Sequence, residues 1–485
     1  MNFINRKGLV FSSSLYILGD SLSKGVTFLL LPVYTRFLSP REFGLLSLAT
    51  SIATFMSLLL SFRGVINRFY YQYEKITARK SFLGSFWLFL IIFSLVIIFL
   101  VFLFRPIISN LLPSVPFYPY LGIVLVFVFL KVSFFYIVLD YYQANFQPKA
   151  YFLLSSFHMI AANGSIFYFV VSQKMGAFGY LLGELISLVI TSIISGVIIF
   201  REFHVKWNMN ILKPVLGFSL PLFLHYFFHL IFSMSYRFIL DRFGTINQVG
   251  IYSFGYQIAL FLQLALTSIN KALVPIFSRA ATSDATFKKT RELIKYYFFV
   301  ATIMGVLVVL LSKPVLIIFF PAEYQEALTI LPWLVLGIMF VGYYFIPMNL
   351  LAMTAGKTKF IPKMTFLAAA VNVSLNIILI PRFGMLAAAI NTAVGYGILF
   401  CLLLLASARL FPGYYEWRKL LILIISSAAI AAIGFFVMGI DPWKNIIYAF
   451  LSLIVLLVVL VIFGFIDIVE LKLLYHSWSG TSQGR

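Results

Sequence analysis

The sequence has few charged residues and a single cysteine. Of its 485 residues only 11% are charged, whereas 62% are hydrophobic, and the mean hydropathy is +1.02. Soluble domains carry about 25% charged residues, so this composition excludes an ordinary soluble protein. The lone Cys401 lies in an apolar stretch, which excludes a disulfide framework. What the chain has instead is a series of apolar runs, each long enough to cross a bilayer. It is therefore predicted to be an all-α polytopic membrane protein.

Acidic residues are scarce, with 15 Asp and Glu against 36 Lys and Arg, for a net charge of +21. Such an excess suggests nucleic-acid binding, but the basic residues cluster in the connections between apolar runs. Hydropathy predicts about fourteen spans, at 9–38, 43–62, 82–104, 117–140, 150–172, 176–200, 214–239, 248–270, 292–320, 327–352, 361–380, 383–408, 419–439 and 446–466. Lys313 and Pro314 interrupt the segment 292–320, and the count lies between 12 and 14.

The basic residues alternate in number from one connection to the next. With both termini in the cytoplasm, most Lys and Arg residues fall on the cytoplasmic side. The positive-inside rule then predicts an even number of spans and cytoplasmic termini. The basic excess is explained as topology signal and attraction to anionic headgroups, and no nucleic-acid partner is predicted.

Motifs for common catalytic chemistry are missing from the sequence. It has no P-loop, nucleophile elbow or HExxH arrangement, so we predict neither an enzyme nor a cofactor. His225 and His229 are spaced as two zinc ligands on a helix would be, but no Cys, Asp or Glu lies close in sequence to complete the site. No metal site is predicted.

Two lysines lie deep inside apolar segments. Lys24 is in the first span, one turn after Asp20, and Lys131 is in the fourth span. A charge at the centre of a membrane helix costs roughly 2.5–3.5 kcal/mol and usually faces a wet or paired interior. Asp20 and Lys24 either form a pair that only packs helices or belong to a functional site. Lys131 needs a partner from another span, and Glu184 or a phosphate group fits.

Four arginines lie near predicted membrane surfaces. Arg63 and Arg68 are at the inner surface, where they either snorkel to headgroups or form the mouth of a basic funnel. Arg36 and Arg237 are at the outer ends of the first and seventh spans, as gate residues or interfacial anchors.

The chain also repeats itself weakly. TRFLSPREFGLLSLATSI resembles YRFILDRFGTINQVGIYSFGYQI, which aligns Arg36 with Arg237 and Gly44 with Gly250 at an offset that drifts from 201 to 208 along the chain. Two parallel six-helix repeats are therefore predicted, at 1–207 and 208–411, with two further spans in 412–485. Pro32 and Pro221 occupy corresponding spans of the two repeats, as hinges or as static kinks.

The N-terminal stretch SLYILGDSLSKGVTFLLLPVYTRFLSPREFGLLSL resembles the first two spans of polysaccharide-biosynthesis flippases, in its Pro-Val-Tyr-Thr-Arg core and its Glu-Phe-Gly turn. The turn Phe-Gly-Met-Leu-Ala-Ala-Ala at 383–389 is similar to a later signature of the same family. These flippases belong to the multidrug/oligosaccharidyl-lipid/polysaccharide exporter superfamily. The resemblance implies a V-shaped pair of six-helix lobes around a central cavity that works by alternating access.

The same resemblance implies a function. Family members move undecaprenyl-diphosphate-linked oligosaccharide to the outer leaflet of the bacterial cytoplasmic membrane, for surface polysaccharides such as O-antigen and lipopolysaccharide. Lys24 and Lys131 are the positions that match the diphosphate-holding basic residues, and Arg63 and Arg68 would attract the headgroup. Asp20 or Glu184 would take H⁺ or Na⁺ to reset the cycle. Membrane lipids and polymerase or assembly proteins are the expected partners.

Two alternatives stay open. A cation-coupled multidrug antiporter of the same superfamily would want acids in its cavity, whereas here lysines lie at mid-depth. A non-transporting scaffold of a glycan-assembly complex gives no reason for two lysines at that depth.

Overall fold

The structure, a computed structural model, describes residue 15 and residues 25–62, 64–279, 284–355 and 360–465. These residues form helices and connecting turns, with no strand among them. The α-helices are α1 Gly25–Tyr34, α2 Pro40–Ser61, α3 Val65–Phe69, α4 Ile76–Leu103, α5 Arg105–Leu111, α6 Gly122–Leu130, α7 Ile137–Ala144, α8 Pro148–Phe167, α9 Gly176–Glu202, α10 Met209–Phe243, α11 Ile246–Arg279, α12 Asp284–Phe319, α13 Leu331–Asn349, α14 Phe360–Leu410, α15 Trp417–Val437 and α16 Pro442–Ile462.

The described helices confirm the prediction of an all-α polytopic membrane protein. Within these ranges, eleven helical segments are long and apolar enough to cross a membrane. One of them is α14, which is broken at Gly384 by a backbone with φ 56° and ψ −137°. The break lies at the second residue of the predicted span 383–408, close to its boundary with the span 361–380, so α14 accounts for both predicted spans. The count of fourteen stays a prediction.

The described residues fall into two compact units. One lies within Met1–Ser253 and Asn376–Met385, and the other within Phe254–Leu375 and Leu386–Arg485. These units group residues by contact, whereas the predicted repeats group them by sequence, so the boundaries 1–207, 208–411 and 412–485 stay predictions.

A shared pattern of helix caps supports the internal repeat. At the start of α2, the Ser39 backbone N–H donates to Glu42 Oε2 at 3.0 Å and the Glu42 N–H donates to Ser39 Oγ at 3.4 Å, which is a capping box. At the start of α11, the Gln248 N–H donates to Thr245 Oγ1 at 3.3 Å. Serine and glutamate in the first motif thus correspond to threonine and glutamine in the second.

Two glycines of the repeat meet where α2 and α11 cross. A Cβ on Gly44 would collide with the Ile246 carbonyl oxygen, and a Cβ on Gly250 would collide with the Pro40 carbonyl oxygen. The same Cβ on Gly44 would lie 3.0 Å from the Gly250 backbone nitrogen. Only glycine permits this approach, so the crossing explains both positions.

These caps correct the register predicted for the repeat. Arg36-Phe37 precedes Ser39 by the same interval at which Arg242-Phe243 precedes Thr245. The structural counterpart of Arg36 is therefore Arg242, and the alignment of Arg36 with Arg237 is wrong. The sequence comparison chose the first of two Arg-Phe pairs that lie five residues apart on α10.

Candidate functional site

Lys131 lies at the middle of its membrane segment, where the helix changes type. The segment Phe117–Ala144 is one continuous span, and residues Lys131–Tyr136 within it form a π-helical turn. Such turns are frequent at functional sites because they displace side chains from the regular helical positions. The Trp87 indole N–H of α4 donates to the Ser133 carbonyl oxygen of this turn at 2.8 Å, which fixes its backbone against α4.

A cavity of about 330 Å³ opens beside Lys131 in the first compact unit. Three elements line it: α2, the segment from α6 through the π turn, and α9. Its polar lining residues are Thr50, Thr54, Ser57, Lys131, Tyr136, Tyr180 and Glu184. The predicted pair of Lys131 and Glu184 is thus brought to one cavity.

Aromatic rings surround the ammonium group of Lys131. Its Nζ lies 4.5 Å from the ring centroid of Phe127 and 5.6 Å from that of Tyr136. In the described part of the chain no carboxylate forms a direct ion pair with it. Ring faces attract a cation only partially, by about 0.5–2 kcal/mol, so the lysine keeps most of its capacity to bind an anion.

Two hydroxyl groups of α2 that line the cavity, those of Thr50 and Thr54, donate their protons to backbone carbonyls of the same helix. Thr50 Oγ1 donates to the Leu46 carbonyl at 2.7 Å, and Thr54 Oγ1 donates to the Thr50 carbonyl at 2.8 Å. Each hydroxyl therefore presents oxygen lone pairs to a ligand. Lys131 is the cation of this cavity, and the threonines add acceptors for hydroxyl or ammonium donors.

Glu184 belongs to a turn of α9 that also contacts a histidine. Ser187 Oγ donates to the Glu184 carbonyl at 2.9 Å and lies 3.4 Å from His158 Nδ1 on α8. The His158 ring packs against Phe135 of the π turn at a centroid distance of 4.4 Å. His158 therefore links the turn that carries Glu184 to the turn that begins at Lys131.

The other predicted site residues lie elsewhere. Lys24, Asp20 and Arg63 are outside the described residues, so their predicted roles stay predictions. Arg68 is exposed on α3, with its guanidinium 5.9 Å from the ring centroid of Phe218. It does not line the Lys131 cavity.

The two predicted gate arginines have different surroundings. Arg36 is exposed in the turn after α1. Arg237 is partly buried on α10, where its Nη1 donates to Ser51 Oγ on α2 at 2.5 Å. Arg237 thus ties α10 to α2 within the first unit.

The predicted hinge prolines lie within helices. Pro32 is in α1, where the Thr35 hydroxyl donates to the Leu31 carbonyl at 3.0 Å and also approaches the Pro32 carbonyl at 3.2 Å. Pro221 is within α10, and its side chain is outside the described part. In the described ranges no group of three or more His, Cys, Asp or Glu residues is placed to hold a metal.

Sequence reasoning missed several residues of this site. Thr50, Thr54 and Ser57 repeat every three or four residues on α2, and this polar stripe could have been found from helical periodicity. Tyr180 and His158 carry no local signal, since only the packing of the helices places Tyr180 in the cavity lining and His158 against Ser187 and Phe135.

The comparisons with known proteins agree with this architecture. Residues 33–329 match the family model described as polysaccharide biosynthesis protein. A Lsg locus protein of Haemophilus influenzae is 26% identical over 362 residues, which is 69% of this chain and 79% of that protein.

Two solved structures share the fold. The lipid II flippase MurJ in an inward closed conformation has a TM-score of 0.73 at 16% identity, covering 91% of this chain and 97% of that one. An inward-facing multidrug resistance MATE family transporter of the MOP superfamily has a TM-score of 0.53 at 14% identity, covering 82% and 95%. At these identities the likeness to both structures shows a shared fold. Because the family model matches more than half of the chain, the protein belongs to the polysaccharide biosynthesis protein family.

Proposed function

We propose that this protein is a flippase that moves a diphosphate-linked oligosaccharide lipid from the cytoplasmic to the outer leaflet of the bacterial cytoplasmic membrane. The observation that carries the proposal is Lys131, a cation at mid-membrane depth that lines a cavity and has no carboxylate ion pair in the described part of the chain. Membership of a polysaccharide biosynthesis family makes a glycan lipid the natural cargo.

The size of the cavity suits part of such a substrate. A volume of about 330 Å³ is at the lower end of small-molecule sites, which is enough for a phosphate or diphosphate group but not for a whole lipid-linked glycan. In a low-dielectric environment an unpaired ammonium attracts phosphate strongly. Lys131 would hold the diphosphate, with Lys24 as the second predicted cation, while the glycan and the lipid tail lie outside this cavity.

The remaining predicted residues complete a working hypothesis. Arg63 and Arg68 collect the headgroup at the cytoplasmic surface, and Pro32 and Pro221 let the repeats rock in alternating access. Arg36 and Arg237 act near the outer ends of their helices. Glu184 lines the same cavity as Lys131, so it is the favoured site for a coupling H⁺ or Na⁺. Asp20 is the alternative.

The test measures the leaflet distribution of lipid-linked oligosaccharide in cells from which the gene for this protein has been deleted. These cells are compared with the same cells expressing the unchanged protein or one of its variants. Lys131→Ala should leave the lipid on the cytoplasmic leaflet, whereas Lys131→Arg should restore part of the export because the charge is kept. Lys149→Ala is the matched control, since Lys149 is an exposed lysine at the start of α8. It should export normally.

Each other outcome has a meaning. Normal export by Lys131→Ala would remove the cationic site from the mechanism. An unchanged distribution in cells without the chain, combined with altered sensitivity to cationic drugs, would favour the antiporter. Loss of polysaccharide without any change in leaflet distribution would favour the scaffold.

A further inference from the structure

A second, larger cavity lies within the second compact unit, between α12, α13 and α15. Its volume is about 660 Å³, and its lining is predominantly apolar, including Val306, Leu336 and Phe435. The apolar stretch of this lining offers water few hydrogen-bond partners, so apolar groups are its better occupants. In a bilayer, the apolar groups available to occupy the cavity are the hydrocarbon chains of lipids.

All three helices place this cavity at the same depth. Lining residues on α12 run from Thr302, near the middle of the span Thr290–Phe319, to Lys313 near its end. On α15 they run from the middle of the helix to Phe436 at its end, and on α13 from Tyr343 back to Pro332 at the helix start. The cavity therefore extends from the middle of the membrane to one surface.

The length of the cavity matches one leaflet. Thr302 and Lys313 are eleven residues apart, which corresponds to about 16 Å along a helix axis. Half of a hydrocarbon core is about 15 Å. The deep end is marked by Thr302 Oγ1 and Tyr343 Oη, which are 2.5 Å apart and satisfy each other.

Polar contacts hold α15 to α12 at both ends of α15. Glu416, the residue before α15, forms ion pairs with Arg291 of α12 at 3.2 Å and with Lys419 at 3.0 Å. At the other end Lys313 Nζ donates to the Met438 carbonyl at 2.6 Å. Because both ends are fixed, the space between the helices is not a consequence of a loosely docked helix.

Small side chains on α15 keep the space open. Ala428, Ala431 and Ala432 line it, opposite the larger Trp333 and Phe340 of α13. The ammonium of Lys313 is at the surface end, and its two further N–H groups can bind a phosphate there. The cavity thus combines a leaflet-length apolar slot with one cation at the headgroup level.

We propose that this cavity binds one acyl chain of a membrane phospholipid from the leaflet at the C-terminal end of α12, with the lipid phosphate at Lys313. In the orientation predicted from charge, this is the outer leaflet. The bound phospholipid is distinct from the transported substrate, because the slot ends at mid-membrane and its length fits a chain of a single leaflet.

The test uses the full-length protein in nanodiscs of phosphatidylethanolamine and phosphatidylglycerol, with a phosphatidylglycerol probe that carries a diazirine at the end of one chain. After photolysis, the label should be found on peptides that contain Thr302, Tyr343 and Ser427, the deep end of the cavity. Ala431→Phe should lower this labelling by about tenfold, the effect of excluding two methylene groups from an apolar site.

Ala429→Phe is the matched control, because Ala429 is exposed on α15 but does not line the cavity. Its labelling should equal that of the unchanged protein. Ala432→Leu is a milder cavity-filling variant that serves if Ala431→Phe does not fold, and it should lower the labelling in the same direction. Lys313→Gln should lower the amount of labelling, because the cation that binds the phosphate is lost, while the same peptides remain labelled.

Three results would overturn the proposal. The first is equal labelling in the cavity-filling and control variants. The second is label spread over the outer faces of α15 and α16. The third is displacement of the probe by polyprenyl phosphate at equimolar concentration, which would assign the cavity to the substrate tail instead. None of these results depends on whether Lys131 binds a diphosphate.

Discussion

At the scale of single residues, Lys131 depends on a backbone feature that hydropathy does not reveal. Its depth could be predicted, because depth follows from the length of the apolar run and Lys131 lies at the middle of Phe117–Ala144. The π turn that begins at Lys131 could not, since it depends on contacts with other helices, including the hydrogen bond from Trp87 to Ser133. Glu184 was predicted as one candidate partner of Lys131 because it is an acid inside another span, and the structure places it in the lining of the same cavity.

Replacing Trp87 with phenylalanine tests the importance of this turn. Trp87→Phe removes the N–H donor to the Ser133 carbonyl while keeping an aromatic ring in a buried position. We expect the free energy of unfolding to fall by about 1 kcal/mol, the net contribution of one hydrogen bond. Lipid export should also fall, because the turn sets the position of Lys131. Thermal unfolding in detergent and the leaflet assay measure the two effects.

The matched control is Trp443→Phe, since Trp443 is 69% exposed on α16. It should change neither the unfolding temperature nor export. If Trp443→Phe and Trp87→Phe lower both quantities equally, the hydrogen bond to the π turn has no special role.

At the scale of helices, α2 and α11, one from each predicted sequence repeat, cross in close contact at Gly44 and Gly250. The sequence predicted that Gly44 and Gly250 correspond, and in the structure they meet in space. It did not predict the correct counterpart of Arg36, because the dipeptide Arg-Phe occurs twice on α10 and similarity alone does not distinguish the copies. The cap hydrogen bonds at Ser39 and Thr245 settle the register. The spacing that allows them, Ser39 to Glu42 and Thr245 to Gln248, is present in the sequence and could have been used.

A methyl group at this crossing should force the two helices apart. We expect Gly44→Ala to destabilise the protein by about 1–3 kcal/mol, the usual cost of overpacking, because its Cβ would collide with the Ile246 carbonyl. Gly164→Ala on α8 is the control, since a Cβ there meets nothing within 4 Å. It should be neutral or slightly stabilising. Thermal unfolding of both variants measures the difference, and equal melting temperatures would show that the crossing is not tight.

At the scale of the whole molecule, the class of protein followed from composition, whereas orientation remains a prediction from charge. Each described candidate span overlaps a predicted one, because long apolar runs in a membrane protein have few alternatives to helix. The assignment of sides rests on the distribution of Lys and Arg alone, since no side chain contact distinguishes the cytoplasm from the outside.

Chemical labelling of introduced cysteines can decide the orientation. With Cys401→Ser as background, the chain has no other cysteine, so a single new thiol reports one location. Lys206→Cys lies in the connection between α9 and α10, which is predicted to be cytoplasmic, and Asp441→Cys lies between α15 and α16, which is predicted to be outside. Both residues are exposed. A membrane-impermeant maleimide should label Asp441→Cys in intact spheroplasts and Lys206→Cys only after permeabilisation. The reverse labelling pattern would show that the protein has the opposite orientation in the membrane. The proposed direction of substrate transport would then be reversed, and the phospholipid in the cavity between α12, α13 and α15 would come from the inner leaflet.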